Sequence, residues 1–181
     1  MIVIHPADKT TAFLKQIYST WENVTLIDEK WSGRAIKEAI CCAPKNEIVT
    51  MLGHGCEKGL FSPTISGDNQ FGRTIVDDKL VPFLKERLCI GIWCHADEFA
   101  KKHKLKGIFT GMIISDENEA CDYHIDLDGE DIELCNEQFA SDLLYCLTHT
   151  DFHNVPNLML EMQDYHSELK DFNYNNIFYY N

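Results

Sequence analysis

Basic residues are scarce in this chain of 181 residues. It has 16 Lys and Arg against 29 Asp and Glu, so its formal net charge is −13 at pH 7. Nucleic-acid backbones and anionic membrane surfaces select basic patches, and this charge balance argues against either as the main partner. A charged substrate would more easily be basic than acidic.

Long apolar runs are also missing. No stretch approaches the roughly 18–20 apolar residues that span a bilayer, and residues 1–5 are too short and not basic enough to lead a signal peptide. We therefore expect a cytoplasmic protein with no membrane partner. In that compartment the eight cysteines are expected to be reduced thiols. They show no Cys-x-x-Cys spacing, and we interpret most of them as small core residues.

Glycine-rich phosphate motifs do not occur either. Neither Gly-x-Gly-x-x-Gly nor Gly-x-x-x-x-Gly-Lys-Ser/Thr is found, which leaves a phosphate or nucleotide loop with little support. Repeats, low-complexity tracts and linkers are absent as well. The content of 45% hydrophobic and 25% charged residues is ordinary for a globular protein, and we expect one domain over residues 1–181.

What the sequence does contain is an alternation of apolar β-branched runs and helical patterns. Strands are predicted at 1–5, 24–27, 48–52, 88–93 and 107–115. Helices are predicted from Thr10 or Thr11 to Tyr18, and at 32–43, 74–87, 97–104 and 133–148. This alternation predicts a mostly parallel sheet in a three-layer α/β/α sandwich. We also expect a β-hairpin insertion at about 56–72, an irregular acidic stretch at 116–131, and an aromatic C-terminal tail at about 151–181 that packs onto the body.

Reactive side chains follow two of the predicted strands. His54 comes after the strand at 48–52 and is followed by Gly55, whereas Cys94 directly follows the strand at 88–93. Functional groups in parallel sheets gather at the carboxyl ends of the strands. An imidazole beside a thiol can generate the nucleophilic thiolate and later protonate a leaving amine. We therefore predict a catalytic pair of His54 and Cys94, with the main-chain N–H groups of Gly55 and Cys94 as the oxyanion hole.

Other interpretations stay open at this point. A His-Gly pair after a strand is often only a turn, and a cysteine that ends a strand is often a core residue. His54, Cys56, Cys94 and His95 could gather around zinc, although no pair has the usual ligand spacing. The acidic stretch at 116–131 could bind calcium, although its spacing is not that of an EF-hand. A Rossmann-like binder of a nucleotide signal is a further alternative.

At the two motifs around His54 and Cys94, the chain resembles the caspase-like cysteine peptidases, which include caspases, metacaspases, legumain, gingipain and clostripain. In that group one strand ends in His-Gly and the next ends in a small residue followed by Cys. The resemblance covers about residues 1–150 and is greatest to single-domain bacterial or phage members. It implies a cysteine endopeptidase with a peptide or protein substrate and no cofactor. It also implies His54 as general base and acid, Cys94 as nucleophile, and the same oxyanion hole.

The sequence departs from the family pattern next to the cysteine. Trp93 stands where a small residue is usual, and neither the Gln-Ala-Cys of caspases nor the Glu-Ala-Cys of legumain-like members occurs. A caspase-like binding or regulatory module without catalysis is therefore the main alternative to a peptidase.

The resemblance also indicates where a substrate side chain would bind. In that group the pocket is built from the loops after the first strand and after the strand that follows the cysteine. Here those loops carry Asp8 and Asp116, and we assign both to substrate binding together with Cys56. An acidic pocket would favour Arg or Lys at the cleavage site, whereas the alternative is an acidic loop that only faces solvent.

Overall fold

The computed structural model describes residues 1–6, 8–63, 71–127, 129–163 and 165–181. Its strands are β1 (Ile2–Ile4), β2 (Thr25–Ile27), β3 (Val49–Leu52), β4 (Gly55–Cys56), β5 (Gly59–Pro63), β6 (Phe71–Val76), β7 (Leu88–Ile92), β8 (Lys106–Thr110) and β9 (Ile177–Tyr180). Its α-helices are α1 (Gly33–Cys42), α2 (Val81–Leu84), α3 (Ala96–His103), α4 (Glu117–Asp122), α5 (Ile132–His149), α6 (Val155–Glu161) and α7 (Glu168–Asn175). Two 3₁₀ helices cover Ala12–Tyr18 and Phe152–Asn154.

Six strands form the main sheet, in the order β2-β1-β3-β7-β8-β9. The first five of these strands are parallel to one another, and β9 pairs antiparallel with β8. The predicted α/β class and mostly parallel sheet are therefore confirmed. Because β1, β3, β7 and β8 run parallel to one another, their carboxyl ends all lie at one edge of this sheet.

Apolar side chains cover both faces of the sheet. On one face, strand residues pack with α1 and α3 in a core that contains Ile4, Met51 and Trp93. On the other face, Val3 and Ile90 pack with α5, α6 and the first 3₁₀ helix. We call these the α1 face and the α5 face. Alternate strand residues point to opposite faces, and the arrangement is compatible with a three-layer α/β/α sandwich.

The structure corrects the predicted helix at 74–87. Ile75 and Val76 are buried strand residues of β6, and Val76 pairs with Leu60 of β5. Helical structure is limited to α2, which is four residues long and has Pro82 in its first turn. The apolar spacing was ambiguous because a strand and a short helix follow each other within the same window.

Two other predicted elements differ in extent. The strand predicted at 107–115 ends at Thr110, because the N–H of Gly111 donates to Asn176 and the Asn173 side chain hydrogen-bonds both main-chain groups of Ile114. The acidic stretch at 116–131 is not wholly irregular, since Asp116 caps α4 by accepting hydrogen bonds from the N–H groups of Asn118 and Glu119.

The predicted hairpin and tail both contain regular structure. β4, β5 and β6 form a separate antiparallel sheet of three strands, and residues 64–70 of the predicted hairpin lie outside the described residues. The tail contributes α6, α7 and β9, so it completes the main sheet and packs onto the body. In the described part of the chain, no helix is both long and apolar enough to cross a membrane.

Candidate functional site

His54 and Cys94 emerge from adjacent parallel strands. Leu52 of β3 pairs with Ile92 of β7, and the N–H of Gly53 donates to the carbonyl of Ile92 at 3.1 Å. Each of the two predicted catalytic residues lies two positions beyond that last pair. The structure therefore brings them to the same sheet edge, and both line one cleft on the α5 face.

This cleft, which we call the dyad cleft, is narrow and mostly apolar. Its walls include Phe13 and Leu14 from the first 3₁₀ helix, Ile113 after β8, and Phe139 of α5. The open space inside is about 20 Å³, which is close to the minimum that holds one water molecule. A peptide would enter this cleft only if its walls moved apart.

The Cys94 thiol is in its neutral form at physiological pH. Its Sγ–H donates to the carbonyl oxygen of Ile113 at 3.6 Å. Burial raises the pKa of the thiol from 9.0 to about 11, and the negative charges of Glu119 and Asp116 contribute to the rise. Because the thiolate is disfavoured here, deprotonation at neutral pH needs a base beside the sulfur.

The His54 ring is held by the turn that follows β1. Its Nε2 lies 2.6 Å from Oγ1 of Thr10 and 3.6 Å from Oδ1 of Asp8. The side chains of His54 and Asp8 are only 18% and 15% exposed. The hydroxyl and main-chain N–H of Thr10 both donate to Oδ1 of Asp8. Asp8, predicted to bind substrate, is thus placed against the imidazole.

Trp93 borders the dyad cleft, and its side chain is buried in the core of the α1 face. Its Nε1–H donates to the carbonyl of Cys56 at 3.1 Å, and its ring lies edge-on to Phe99 with centroids 5.9 Å apart. Any Cβ at Gly55 would overlap the Trp93 ring. A bulky residue is therefore tolerated before Cys94 because Gly55 leaves room for the indole.

A second, wider cleft adjoins the dyad cleft, and the two share Phe13 and Ser115 in their walls. We call it the acidic cleft. It has a volume of about 830 Å³, and among the described residues that line it Lys9 is the one basic residue. Its carboxylates are Asp116, Glu117, Glu130, Asp131, Glu133 and Glu137. The geometry therefore places Asp116, but not the whole predicted substrate-binding set, in a site suited to a cation.

Asp8 and Cys56 are not among the described residues that line either cleft. Cys56 belongs to β4, where its sulfur accepts a hydrogen bond from the N–H of Lys58 at 3.4 Å. The substrate-binding role of these two residues, like the catalytic roles of His54 and Cys94 and the oxyanion hole at Gly55 and Cys94, stays a prediction.

The two metal interpretations concern His54, Cys56, Cys94 and His95 for zinc and the acidic stretch at 116–131 for calcium. Within the described ranges, no three His, Cys, Asp or Glu side chains gather closely enough to hold a metal ion. His95 has a left-handed backbone (φ 66°) at the start of α3, and its Nδ1 lies 3.4 Å from Glu98. For the calcium interpretation, Asp128 lies outside the described residues.

Sequence reasoning missed several groups around the dyad cleft. The sequence predicts Thr10 or Thr11 only as the start of a helix, whereas in the structure Thr11 makes no side-chain cap bond and Thr10 contacts His54. The signal for Thr10 is the Asp-Lys-Thr sequence, because an Asp side chain readily accepts a hydrogen bond from the N–H two residues later. No local sequence pattern indicates that the carbonyl of Ile113 and the charge of Glu119 act on the thiol of Cys94.

No protein-family model matches this chain, and no curated protein matches it in sequence.

Proposed function

We propose that this chain is a cysteine endopeptidase with a caspase-like fold, of the single-domain bacterial or phage type. The observation that carries the proposal is the placement of His54 and Cys94 in one cleft, at the carboxyl ends of adjacent parallel strands. A thiol and an imidazole in that relation are the two groups that acyl transfer from a peptide requires. Since the nucleophile must remain a reduced thiol, the cytoplasm is the compartment that we expect.

In the proposed reaction, Cys94 gives its proton to His54 as its sulfur bonds to the carbonyl carbon of the scissile peptide. The carbonyl oxygen takes up the displaced electron pair, and the N–H groups of Gly55 and Cys94 stabilise it. The C–N bond then breaks, and His54 protonates the leaving amine. Water then attacks the thioester carbon and gives a proton to His54. The C–S bond breaks, the sulfur takes its electron pair and the proton from His54, and the acid product leaves.

The resting nucleophile in this proposal is a neutral thiol rather than a thiolate. Burial and the carboxylates of Glu119 and Asp116 disfavour the charged thiolate. Proton transfer therefore occurs together with attack, when the substrate has widened the dyad cleft. A protonated resting thiol also protects Cys94 from oxidation, because the thiolate is the form that oxidants attack.

The acidic cleft supports a preference for a basic residue at the cleavage site. It opens directly beside the dyad cleft, and six carboxylates and one lysine line it. Individual exposed ion pairs are worth only about 0–1 kcal/mol each, so several carboxylates would have to act together. We expect cleavage after Lys or Arg rather than after Glu.

The proposal is tested with fluorogenic peptides that differ only in Lys, Arg, Gln or Glu before the reporter. The expected result is turnover of the Lys and Arg peptides, with kcat/KM at least about tenfold above that for Glu, equivalent to ~1.4 kcal/mol. Cys94→Ala should abolish turnover. Equal rates for wild type and Cys94→Ala would contradict the proposal.

A second candidate is a caspase-like binding module without catalysis. One observation favours it: the Sγ–H of Cys94 is directed at the Ile113 carbonyl, and burial holds the pKa of the thiol at about 11. This candidate predicts that basic peptides bind, with equal affinity for wild type and Cys94→Ala, and that none is cleaved. Isothermal titration with the same peptides distinguishes the two candidates.

A further inference from the structure

A short series of hydrogen bonds connects the turn after β1 to the ring of His54. The main-chain N–H of Thr10 donates to Oδ1 of Asp8 at 2.8 Å, and the Thr10 hydroxyl donates to the same oxygen. The hydroxyl oxygen of Thr10 also lies 2.6 Å from Nε2 of His54. That nitrogen is 3.6 Å from Oδ1 of Asp8. One nitrogen of the imidazole therefore faces both residues.

The proton positions follow from the chemistry of the three groups. A hydroxyl has one proton, and an ionised carboxylate can only accept. The Thr10 proton is used in the bond to Asp8, so Oγ1 of Thr10 offers only lone pairs to His54. Nε2 must then carry a proton and donate it. In a neutral imidazole the other nitrogen, Nδ1, is consequently the basic one.

Asp8 is ionised over the neutral pH range. Partial burial alone would raise the pKa of its carboxyl, but the hydrogen bonds from the side chain and main chain of Thr10, together with the charge of His54, hold the pKa below its ordinary value. Because Asp8 and His54 are both largely shielded from solvent, the negative charge acts on Nε2 with less screening than at an exposed site.

We propose that Asp8 and Thr10 are positioning residues that hold His54 in the Nε2–H tautomer, with Nδ1 as its basic nitrogen. The significance for catalysis rests on the proposed peptidase function, whereas the tautomer is a property of the folded chain. Asp8 then acts on the candidate base through Thr10, a different role from the substrate binding that the sequence predicts for it. This is the same logic by which a buried carboxylate orients a catalytic histidine in a serine-protease triad.

The tautomer can be measured directly by ¹⁵N NMR of the full chain labelled at histidine, with the His54 signals assigned by their loss in His54→Gln. The expected result for the neutral ring of wild type is a protonated Nε2 and an unprotonated Nδ1. Thr10→Val, which removes the hydroxyl but keeps the shape, should yield a mixture of both tautomers. Asp8→Asn should do the same, because an amide can donate as well as accept.

Two matched variants control this measurement. Thr10→Ser keeps the hydroxyl and should keep the wild-type tautomer. Thr11→Val removes the neighbouring hydroxyl, which is buried and has no hydrogen-bond partner among the described residues, and should also leave the tautomer unchanged. A pure Nε2–H tautomer in both Thr10→Val and Asp8→Asn, or an Nδ1–H tautomer in the neutral ring of wild type, would overturn the proposal.

The alkylation rate of Cys94 separates this proposal from the proposed function. A general base contributes about 10²–10⁴-fold to its reaction, so loss of its orientation in Thr10→Val should slow alkylation roughly tenfold or more, with recovery in Thr10→Ser. If the tautomer changes as expected while His54→Gln alkylates as fast as wild type, the positioning of His54 stands and the catalytic pair does not.

Discussion

His5 and Cys94 follow β1 and β7 at the same edge of the sheet, where His5 is buried and Cys94 is partly buried. The pKa shift of His5 makes stability depend on pH in acid, and that of Cys94 does so in alkali. His5 follows β1, is 5% exposed, and its Nδ1 lies 3.1 Å from the hydroxyl of Tyr18. Burial lowers its pKa from 6.5 to about 4, and the charge of Lys15 contributes. Cys94 has its pKa raised to about 11. Both residues are therefore neutral in the folded protein at neutral pH.

The first prediction concerns acid. Because His5 has a lower pKa folded than unfolded, the unfolded chain binds more protons between pH 6.5 and about pH 4. Stability should fall as the pH falls through that range, by about 3 kcal/mol from His5 at ~1.4 kcal/mol per pKa unit. Urea unfolding at both ends of this pH range measures the fall in unfolding free energy. His5→Gln should lose less stability than wild type. Identical losses in the two proteins would show that His5 is not the group responsible.

The second prediction concerns alkali. Since the pKa of Cys94 is raised from 9.0 to about 11, its contribution is fully present below pH 9 and is lost as the pH rises through about 11. Urea unfolding in reductant measures the loss of unfolding free energy as the pH rises from 9 to above 11. This loss should be smaller in Cys94→Ala than in wild type by on the order of 2–3 kcal/mol. Cys121→Ala is the control, because Cys121 is exposed. If the unfolding free energy of Cys94→Ala fell with pH as steeply as that of wild type, Cys94 would not be the group responsible.

Among the structural elements, the junction of β3 with the hairpin sheet has a strict steric requirement at Gly55. At Gly55 an added Cβ would overlap Trp93 and lie 2.5 Å from the carbonyl oxygen of Gly59, whereas at Gly33 it would meet open space. Gly33 is the first residue of α1, and glycine in a helix costs about 0.5–1 kcal/mol relative to alanine. The two glycines therefore form a natural pair for substitution.

The third prediction uses that pair. Gly55→Ala should destabilise the protein by about 1–3 kcal/mol, since the extra methyl group must displace the indole or the hairpin. Gly33→Ala should be neutral or slightly stabilising. Thermal unfolding of the two variants measures the difference. Equal effects at the two positions would mean that Trp93 is not packed beneath Gly55.

Strand ends were the part of this molecule that sequence patterns predicted best. The runs before His54 and Cys94 are apolar and short, which suits buried parallel strands, and both residues follow them as expected. The helix predicted at 74–87 is wrong in its first part, which belongs to β6, because the spacing of Ile75 and Leu80 suits a helix and a strand equally. The link from Asp8 through Thr10 to His54 depends on how one turn approaches another strand, and no local pattern encodes that.

On the scale of the whole molecule, the net charge of −13 and the acidic cleft act together on any charged ligand. Exposed charges are screened beyond about 8 Å at physiological ionic strength, and attraction of a basic ligand is strongest at low salt. This field would speed the approach of a basic peptide without changing its chemistry. The salt dependence of a labelling rate therefore separates an effect of charge from an effect of pocket shape.

The fourth prediction follows from that field. The rate at which a lysine-containing probe labels Cys94 should fall several-fold as salt rises from low to high ionic strength, because long-range attraction is lost. A neutral probe with glutamine in place of lysine is the control, and its rate should change little. Parallel salt dependence of the two probes would argue against an electrostatic contribution from the acidic cleft.

The pairing of His54 with Cys94 is tested most directly by covalent labelling with a lysyl acyloxymethyl ketone, followed by intact mass and peptide mapping. The account predicts a single adduct on Cys94, none in Cys94→Ala, and labelling slowed by about 10²-fold or more in folded His54→Ala. Adducts spread over the exposed thiols of Cys41, Cys42 and Cys121, or an unchanged rate in His54→Ala, would contradict it.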